Sequence, residues 1–459
     1  MFTYGLSLTG IIKIWQVTLL PLTWTVTEAT SKVPKPCQSG DVTTCEISSQ
    51  GERLVCPSFT DPRESYRDAK HVYFCSWSNG SLNPDEILKS FPLARTLTIT
   101  NGNVTEFLTD FPRSVHLTQL TLSNLQIKRL RPTLFFFLEN LQFLDLRGNR
   151  LERIPLEIVR TFSTLSKIIL SDNPWNCSYN FDWILNKTIG NKIQYKNQTL
   201  CGDGDYSGKP VYTVMSFIRK MKKDCPKENC TCVMNNIVWN TRQSHLIPVI
   251  TVNCSNRGIM ELPGKLPVNT TTLLLKGNNI SNLLPLVQNK IYSYIADVYL
   301  DRNLVKSIDV LEGAFWLKNV RVLSLRENSL TQLPVYALDN AFEKNTNLAK
   351  IYLGRNPWKC DCSFTPDFQH FLIKHRTLVK DSSEIICAQQ EDDENSNLQI
   401  TTLSTNSLCR KTDSSINPLD ILSAVFASLI LLILGKLIYD WCAFKRTGKL
   451  PWLASKIPC

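Results

Sequence analysis

The sequence predicts an α/β solenoid made of two short repeat arrays, read as two small horseshoes with disulfide-bonded caps, followed by one transmembrane helix. Three observations support this fold class. Leucine and asparagine recur at a nearly constant interval in two stretches, cysteines cluster at the ends of both, and one long apolar run lies near the C-terminus. The 459 residues also equal about three domains of ~150 residues, so several units are expected.

The first array follows the pattern L-x-x-L-x-L-x-x-N-x-L. Its complete copy runs from Leu141 to Leu151, and its key positions are Leu97, Leu120, Leu144 and Ile168. These positions are 23, 24 and 24 residues apart, which is the period of leucine-rich repeats. Each such repeat contributes one short strand and a return segment.

The second array has its key positions at Leu273, Val298, Leu323 and Ile351, with steps of 25, 25 and 28 residues. The leucines of one repeat are buried only when neighbouring repeats stack on both sides. The asparagine of each repeat is expected inside the turn, where its amide bonds backbone groups that the stack leaves unpaired.

The N-terminus is interpreted as a signal peptide. A run of 13 mostly apolar residues, 14–26, follows Lys13, and the small residues Thr27 and Ala29 stand at the expected cleavage point. An uncleaved membrane anchor is the alternative interpretation.

The C-terminal apolar run predicts a transmembrane helix. Ile421–Tyr439 is 19 residues long, or ~28 Å as a helix, and matches one hydrocarbon core. The basic residues that follow place this end in the cytoplasm, so the chain is predicted to be a type I protein of the plasma membrane with its bulk outside the cell. A 20-residue tail is too short for a folded signalling domain. Cys442 at the membrane boundary is a candidate for acylation, with an unmodified thiol as the alternative.

Nine Asn-x-Ser/Thr sequons precede the apolar run and none follows it, which agrees with an extracellular location. The predicted glycosylation sites are Asn79, Asn103, Asn176, Asn186, Asn197, Asn229, Asn253, Asn269 and Asn279.

Cysteines follow the second array directly, in the order Cys360, Cys362, Cys387 and Cys409. This group resembles the C-terminal flanking cap of extracellular leucine-rich repeat proteins, and the resemblance implies the pairs Cys360–Cys387 and Cys362–Cys409. The first array ends in a similar segment with Tyr179 at the second cysteine position, which leaves only Cys177–Cys201.

Two further cysteine groups are assigned to N-terminal caps. The group that follows the first array resembles such a cap, and the resemblance implies the pairs Cys225–Cys232 and Cys230–Cys254. The first group, of Cys37, Cys45, Cys56 and Cys75, leaves three pairings open. Zinc binding is the rival interpretation of the C-x-C pairs, but an oxidising compartment favours disulfides.

The predicted organisation is a signal peptide (1–29), an N-terminal cap (30–92), the first array (93–172), its C-terminal cap (173–224), a second N-terminal cap (225–264), the second array (265–355), its C-terminal cap (356–410), a stalk (411–420), the transmembrane helix (421–439) and a cytoplasmic tail (440–459). This order resembles the membrane-proximal part of the ectodomain of Toll-type receptors, and residues 224–232 and 267–275 look like insect Toll sequence. The intracellular Toll/interleukin-receptor domain is absent. The chain is also similar to small insect transmembrane leucine-rich repeat proteins of the singed wings and halfway type.

No enzyme is predicted. The five histidines lack metal-ligand spacing, and neither a G-x-S-x-G motif nor a phosphate-binding loop occurs. The segment Gly202–Asp205 could suggest calcium but lacks further ligands and is interpreted as a turn. A net charge of +11 without a dense basic block does not indicate nucleic-acid binding, and no cofactor or metal is expected.

The concave side of the second array is the predicted binding surface, because its side chains include several arginines and two tyrosines, which are favoured at protein interfaces. A plain solvated face is the alternative. We expect an extracellular protein ligand or co-receptor, with the chain acting as co-receptor or decoy in development and able to form homo- or hetero-oligomers. Adhesion or matrix organisation, and a developmental role inside the secretory pathway, are the alternatives. The candidate partner-binding residues are Lys276, Tyr299, Arg302, Arg326, Lys350, Tyr352 and Arg355.

Overall fold

A computed structural model describes residues 37, 44–59, 66–202, 204–241, 243–390, 394–404, 408–409 and 418–448. The predicted signal peptide, most of the stalk and the last eleven residues of the tail lie outside this part of the chain. The chain divides into two units, one formed by residues 1–224 with 233–250 and the other by residues 225–232 with 251–459.

The first unit is built on an eight-stranded sheet in which each strand after the first pair runs parallel to its neighbour. Its strands are β1 (Glu46–Ile47), β2 (Arg53–Cys56), β3 (His71–Phe74), β4 (Ser81–Leu82), β5 (Thr96–Thr100), β6 (Glu106–Phe107), β7 (Gln119–Ser123), β8 (Phe143–Asp145), β9 (Lys167–Ile169) and β10 (Ile193–Gln194), and its helices are α1 (Pro84–Ser90), α2 (Leu156–Thr161), α3 (Lys187–Gly190) and α4 (Val211–Asp224). The order in the large sheet is β1-β2-β3-β5-β7-β8-β9-β10, while β4 and β6 pair separately.

The key positions of the first array stand in register across this sheet. Leu97 is aligned with Leu120, Leu120 with Leu144, and Leu144 with Ile168, and all four side chains are fully buried. The parallel sheet extends beyond the predicted array of residues 93–172. Strands β2 and β3 pair in parallel before β5, and β10 pairs in parallel after β9. These added strands carry buried apolar residues without the repeat's asparagine, so the pattern did not reveal them.

A second sheet has the order β11-β12-β13-β14-β15-β16. Its strands are β11 (Thr231–Asn240), β12 (His245–Asn253), β13 (Thr270–Leu274), β14 (Asp297–Tyr299), β15 (Val322–Ser324) and β16 (Lys350–Tyr352), and the later helices are α5 (Leu284–Gln288), α6 (Val335–Glu343), α7 (Thr365–Lys374) and α8 (Pro418–Thr447). The last four strands run parallel with Leu273, Val298, Leu323 and Ile351 in register.

An asparagine at the end of each well-formed repeat binds the backbone of two repeats at once. The amide of Asn149 donates to the carbonyls of Leu122 (2.7 Å) and Leu146 (2.9 Å) and accepts from the N–H groups of Leu125 and Ile127. This confirms the expected role of the residue. Equivalent buried asparagines are Asn173, Asn278, Asn303, Asn328 and Asn356.

Seven disulfides hold the cysteine groups together in the described part of the chain. They join Cys37–Cys75, Cys45–Cys56, Cys177–Cys201, Cys225–Cys232, Cys230–Cys254, Cys360–Cys387 and Cys362–Cys409. The structure thus selects one of the three pairings open for the first group. Cys442 is a free, exposed thiol.

Helix α8 contains the predicted apolar run and extends beyond it at both ends. Among the described residues, Leu419–Thr447 is one helix that has the length and composition needed to cross a membrane.

A carboxylate stabilises the start of the segment that follows the second array. Asp361 forms an ion pair with Lys359 at 2.7 Å and accepts hydrogen bonds from the N–H groups of Ser363 and Phe364. The hydrogen bond from Lys359 is the largest effect, and with the other donors it outweighs burial and lowers the pKa of Asp361 from 3.8 to about 2.

This pKa predicts an acid-sensitive contribution to stability. A lowered folded-state pKa stabilises fully above the unfolded value, and the contribution is lost as pH falls from about 4 towards 2. Because Asp361 is partly exposed, Asp361→Ala should cost on the order of 1 kcal/mol at pH 7. Melting temperatures at pH 7 and pH 2 should show that the difference between Asp361→Ala and wild type shrinks in acid. A difference that stays constant with pH would contradict the assignment.

Candidate functional site

Each repeat turn contains a residue with left-handed backbone immediately before the asparagine position. In the first array these residues are Asn101, Asn124, Gly148 and Asp172, with φ between 55° and 66°. Glycine, asparagine and aspartate adopt this conformation at low cost. At this position the first array therefore uses the residue types that the backbone favours, although Gln126, two residues after Asn124, is left-handed as well with φ of 55°.

The second array uses different residues at the same place. After Gly277, the left-handed positions are held by Arg302, Glu327 and Arg355, with φ of 55°, 54° and 56°. Long side chains rarely adopt this backbone, which costs roughly 1–3 kcal/mol at such a residue. Their sequence positions next to the key apolar residues predict strand residues on the concave side, but the structure places them in the turns that follow strands β14, β15 and β16.

These side chains belong to a set of neighbouring opposite charges that we call the charged row. Arg302 binds Glu327 at 2.9 Å, and Arg355 lies 3.5 Å from the same carboxylate. Arg355 and Arg326 both bind Glu384, the former at 2.6 Å. The charged row consists of Lys276, Asp301, Arg302, Arg326, Glu327, Arg355 and Glu384.

A cavity of about 470 Å³ lies within the charged row. Lys276 stands 4.8 Å above the ring of Tyr299 and 2.9 Å from Asp301, whose carboxylate also accepts a hydrogen bond from Ser324. Tyr352 is a further wall residue. Cations, carboxylates and two phenol rings therefore surround one space.

Residues beyond the last repeat complete this region. Burial raises the pKa of Glu384, but hydrogen bonds from Arg326 and Arg355 outweigh it and leave the pKa below its usual value. Asp381 accepts from the N–H groups of Leu353 and Gly354, at 3.0 and 2.7 Å. A Cβ atom on Gly354 would lie 2.8 Å from the Asp381 carboxylate, so this approach requires glycine.

The structure brings together five of the seven predicted partner-binding residues. Lys276, Tyr299, Arg302, Arg326 and Tyr352 line the cavity. Arg355 belongs to the charged row without lining the cavity, and Lys350 is exposed at the start of β16, outside both. Sequence reasoning missed Glu384 and Asp381. Glu384 lies 58 residues after Arg326, which it binds, and Asp381 lies 28 residues after Leu353, whose N–H group donates to it.

One predicted glycosylation site lies close to the cavity, because Asn253 accepts a hydrogen bond at 3.0 Å from the N–H group of the wall residue Ser255. Eight of the nine sequon asparagines are exposed, and Asn176 is half-buried. Tyr179, which stands where a second cap cysteine was expected, is exposed with the Arg153 guanidinium 5.5 Å from its ring centre. Within the described residues no group of three or more His, Cys, Asp or Glu side chains is placed to hold a metal ion.

The parallel repeat strands and their buried asparagines define a leucine-rich repeat protein. A leucine rich repeat profile matches residues 95–174, and a Halfway C-terminal domain profile matches residues 419–456. Singed wings 2 of Drosophila melanogaster is 37% identical over 400 residues, which cover 85% of this chain and 79% of that protein. The chain belongs to the family of singed wings 2. Halfway of the same species is 29% identical over 392 residues, and the alignment covers 80% of this chain and 60% of halfway.

Two solved structures align with this chain at low TM-scores. The Toll–Spatzle complex of Drosophila (glycosylated form) aligns with a TM-score of 0.34 at 17% identity over 75% of this chain and 52% of that chain. Human 5T4, the Wnt-activated inhibitory factor 1, aligns with a TM-score of 0.27 at 16% identity over 81% of this chain and 99% of that chain.

Proposed function

We propose that this chain is a single-pass type I protein of the cell surface that binds an extracellular protein partner through the charged row. In this proposal the two arrays form short horseshoes with disulfide-bonded caps, and α8 anchors them in the membrane. In this proposal the chain acts as a co-receptor or decoy in development.

The observation that carries this proposal is the residue choice at the left-handed turn positions. Arg302, Glu327 and Arg355 occupy strained backbone that asparagine or glycine would fit at lower cost. Their ion pairs offer little compensation, because exposed pairs contribute about 0–1 kcal/mol. Strained residues that local stability does not favour are typical of functional sites.

The test is a triple variant, Arg302→Gly, Glu327→Gly and Arg355→Gly, in the full-length protein. We expect the melting temperature to change little, because relief of left-handed strain offsets the lost ion pairs. Proximity labelling on intact cells should lose the extracellular partners seen with wild type. Asp172→Gly, at the equivalent position of the first array, is the matched control and should keep them.

Two results would contradict the proposal. A large fall in melting temperature would show that the charged row serves stability. An unchanged set of labelled partners in a well-folded, surface-exposed triple variant would show that binding occurs elsewhere.

A further inference from the structure

The cavity of the charged row contains a hydrogen-bond donor with no acceptor. The Arg326 Nε atom is buried and forms no hydrogen bond, and the Glu327 carboxylate lies 3.9 Å from it. A donor removed from water without an acceptor is unfavourable. An acceptor that enters the cavity would correct this deficit if the Arg326 guanidinium turns its Nε–H group towards it.

The carboxylates of the charged row already have partners within the protein. Asp301 is bound by Lys276 and Ser324, Glu327 by Arg302, and Glu384 is shared between Arg326 and Arg355. The cavity walls carry three cationic side chains and two carboxylates. The surplus is positive, and it includes the unsatisfied guanidinium nitrogen.

We infer that the cavity receives a carboxylate side chain from an acidic segment of the protein partner, with Arg326 as its principal donor. The inference rests on the proposed function and names the chemistry of the partner. Arginine suits this role because its planar fork keeps a fixed geometry towards carboxylates. Tyr299 and Tyr352 line the same cavity and would flank the aliphatic part of the incoming side chain.

Acidic protein fits the surface better than a sulfated glycan does. Asp301 and Glu327 stand between the cations, so a continuous row of sulfates would meet negative charge at two places. A protein segment can place one carboxylate in the cavity and a cation or neutral side chain beside Glu327. The alternation of charge thus selects for a partner with spaced rather than continuous negative charge.

The experiment uses the full-length protein in lipid nanodiscs and three fluorescent probes. These are an octapeptide of alternating glutamate and serine, its glutamine counterpart, and a heparin oligosaccharide. We expect the glutamate peptide to bind and the glutamine peptide not to bind. Arg326→Gln should weaken binding of the glutamate peptide at least about 10-fold, as for loss of a charge-assisted hydrogen bond.

Two further variants separate the inference from general charge effects. Arg326→Lys keeps the charge without the planar fork and should also weaken binding, by about fivefold or more. Arg113→Gln removes an exposed arginine that pairs with Glu139 in the first array and should leave binding unchanged. Melting curves confirm that each variant is folded.

The possible outcomes distinguish failure of the carboxylate inference from failure of the proposed function. Absence of glutamate-peptide binding to wild type, equal binding of the glutamine peptide, tighter binding of heparin, or no effect of Arg326→Gln would each overturn the inference. If the triple glycine variant still loses its cellular partners, the proposed function stands while the carboxylate chemistry fails. If the cellular partners are retained, the proposed function itself fails.

Discussion

Cys362→Ser should destabilise the segment before α8 by about 2–5 kcal/mol and retain the protein in the endoplasmic reticulum. The bond from Cys362 closes a loop of 47 residues that contains α7 and the residues that bind the last repeat. The serine variant leaves Cys409 as an unpaired thiol. Because Glu384 lies inside this loop, the charged row should also lose its last carboxylate.

The matched control is Cys442→Ser, which removes the free thiol and leaves every described disulfide intact. Surface biotinylation should show a strong loss for Cys362→Ser and a wild-type level for Cys442→Ser. Alkylation under non-reducing conditions should label Cys409 in the first variant only. Normal surface level together with an unchanged melting temperature for Cys362→Ser would contradict a structural role for this disulfide.

The alignment of the repeats with one another was predictable, because the spacing of the leucines is a local property of the sequence. Leucines at a fixed interval must face one core, so the alignment of Leu120 with Leu144 follows from their spacing in the chain. The strands β2 and β3 were missed for the converse reason. They bury Leu54 and Val72 in the same core but lack the asparagine that marks a repeat.

The candidate site was predictable only in part. The spacing of Tyr299 and Tyr352 beside the key leucines predicted that both side chains share one sheet face, because side chains alternate along a strand. Backbone conformation at the turns and the contribution of Glu384 depend on contacts between distant segments. No local pattern indicates that Glu384 meets Arg326, 58 residues earlier in the chain, and Gly354 is informative only because Asp381 packs against it.

The asparagines of the repeats predict the other large effect on stability. Asn328 is buried, and its amide donates to the carbonyls of Leu300 (2.9 Å) and Arg326 (3.2 Å) while accepting from the N–H group of Val305 (3.1 Å). Asn328→Ala leaves at least the Leu300 carbonyl and the Val305 N–H buried without this partner. Each unsatisfied group costs about 1–3 kcal/mol, and an alanine cannot fill the space.

We therefore expect Asn328→Ala to lower the free energy of unfolding by about 2–5 kcal/mol, which corresponds to roughly 5–15 °C in melting temperature for a unit of about 200 residues. Asn140→Ala is the control, because Asn140 is exposed and donates one hydrogen bond, to the Val115 carbonyl. It should change the melting temperature by less than about 2 °C.

Asn328 ties the backbone of adjacent repeats together, so its loss should unfold the neighbouring turns as well as its own. Hydrogen exchange should therefore accelerate at Val305 and Leu330. Similar melting temperatures for the two variants would mean that water replaces the amide and that stacking of the leucines alone holds the repeats together.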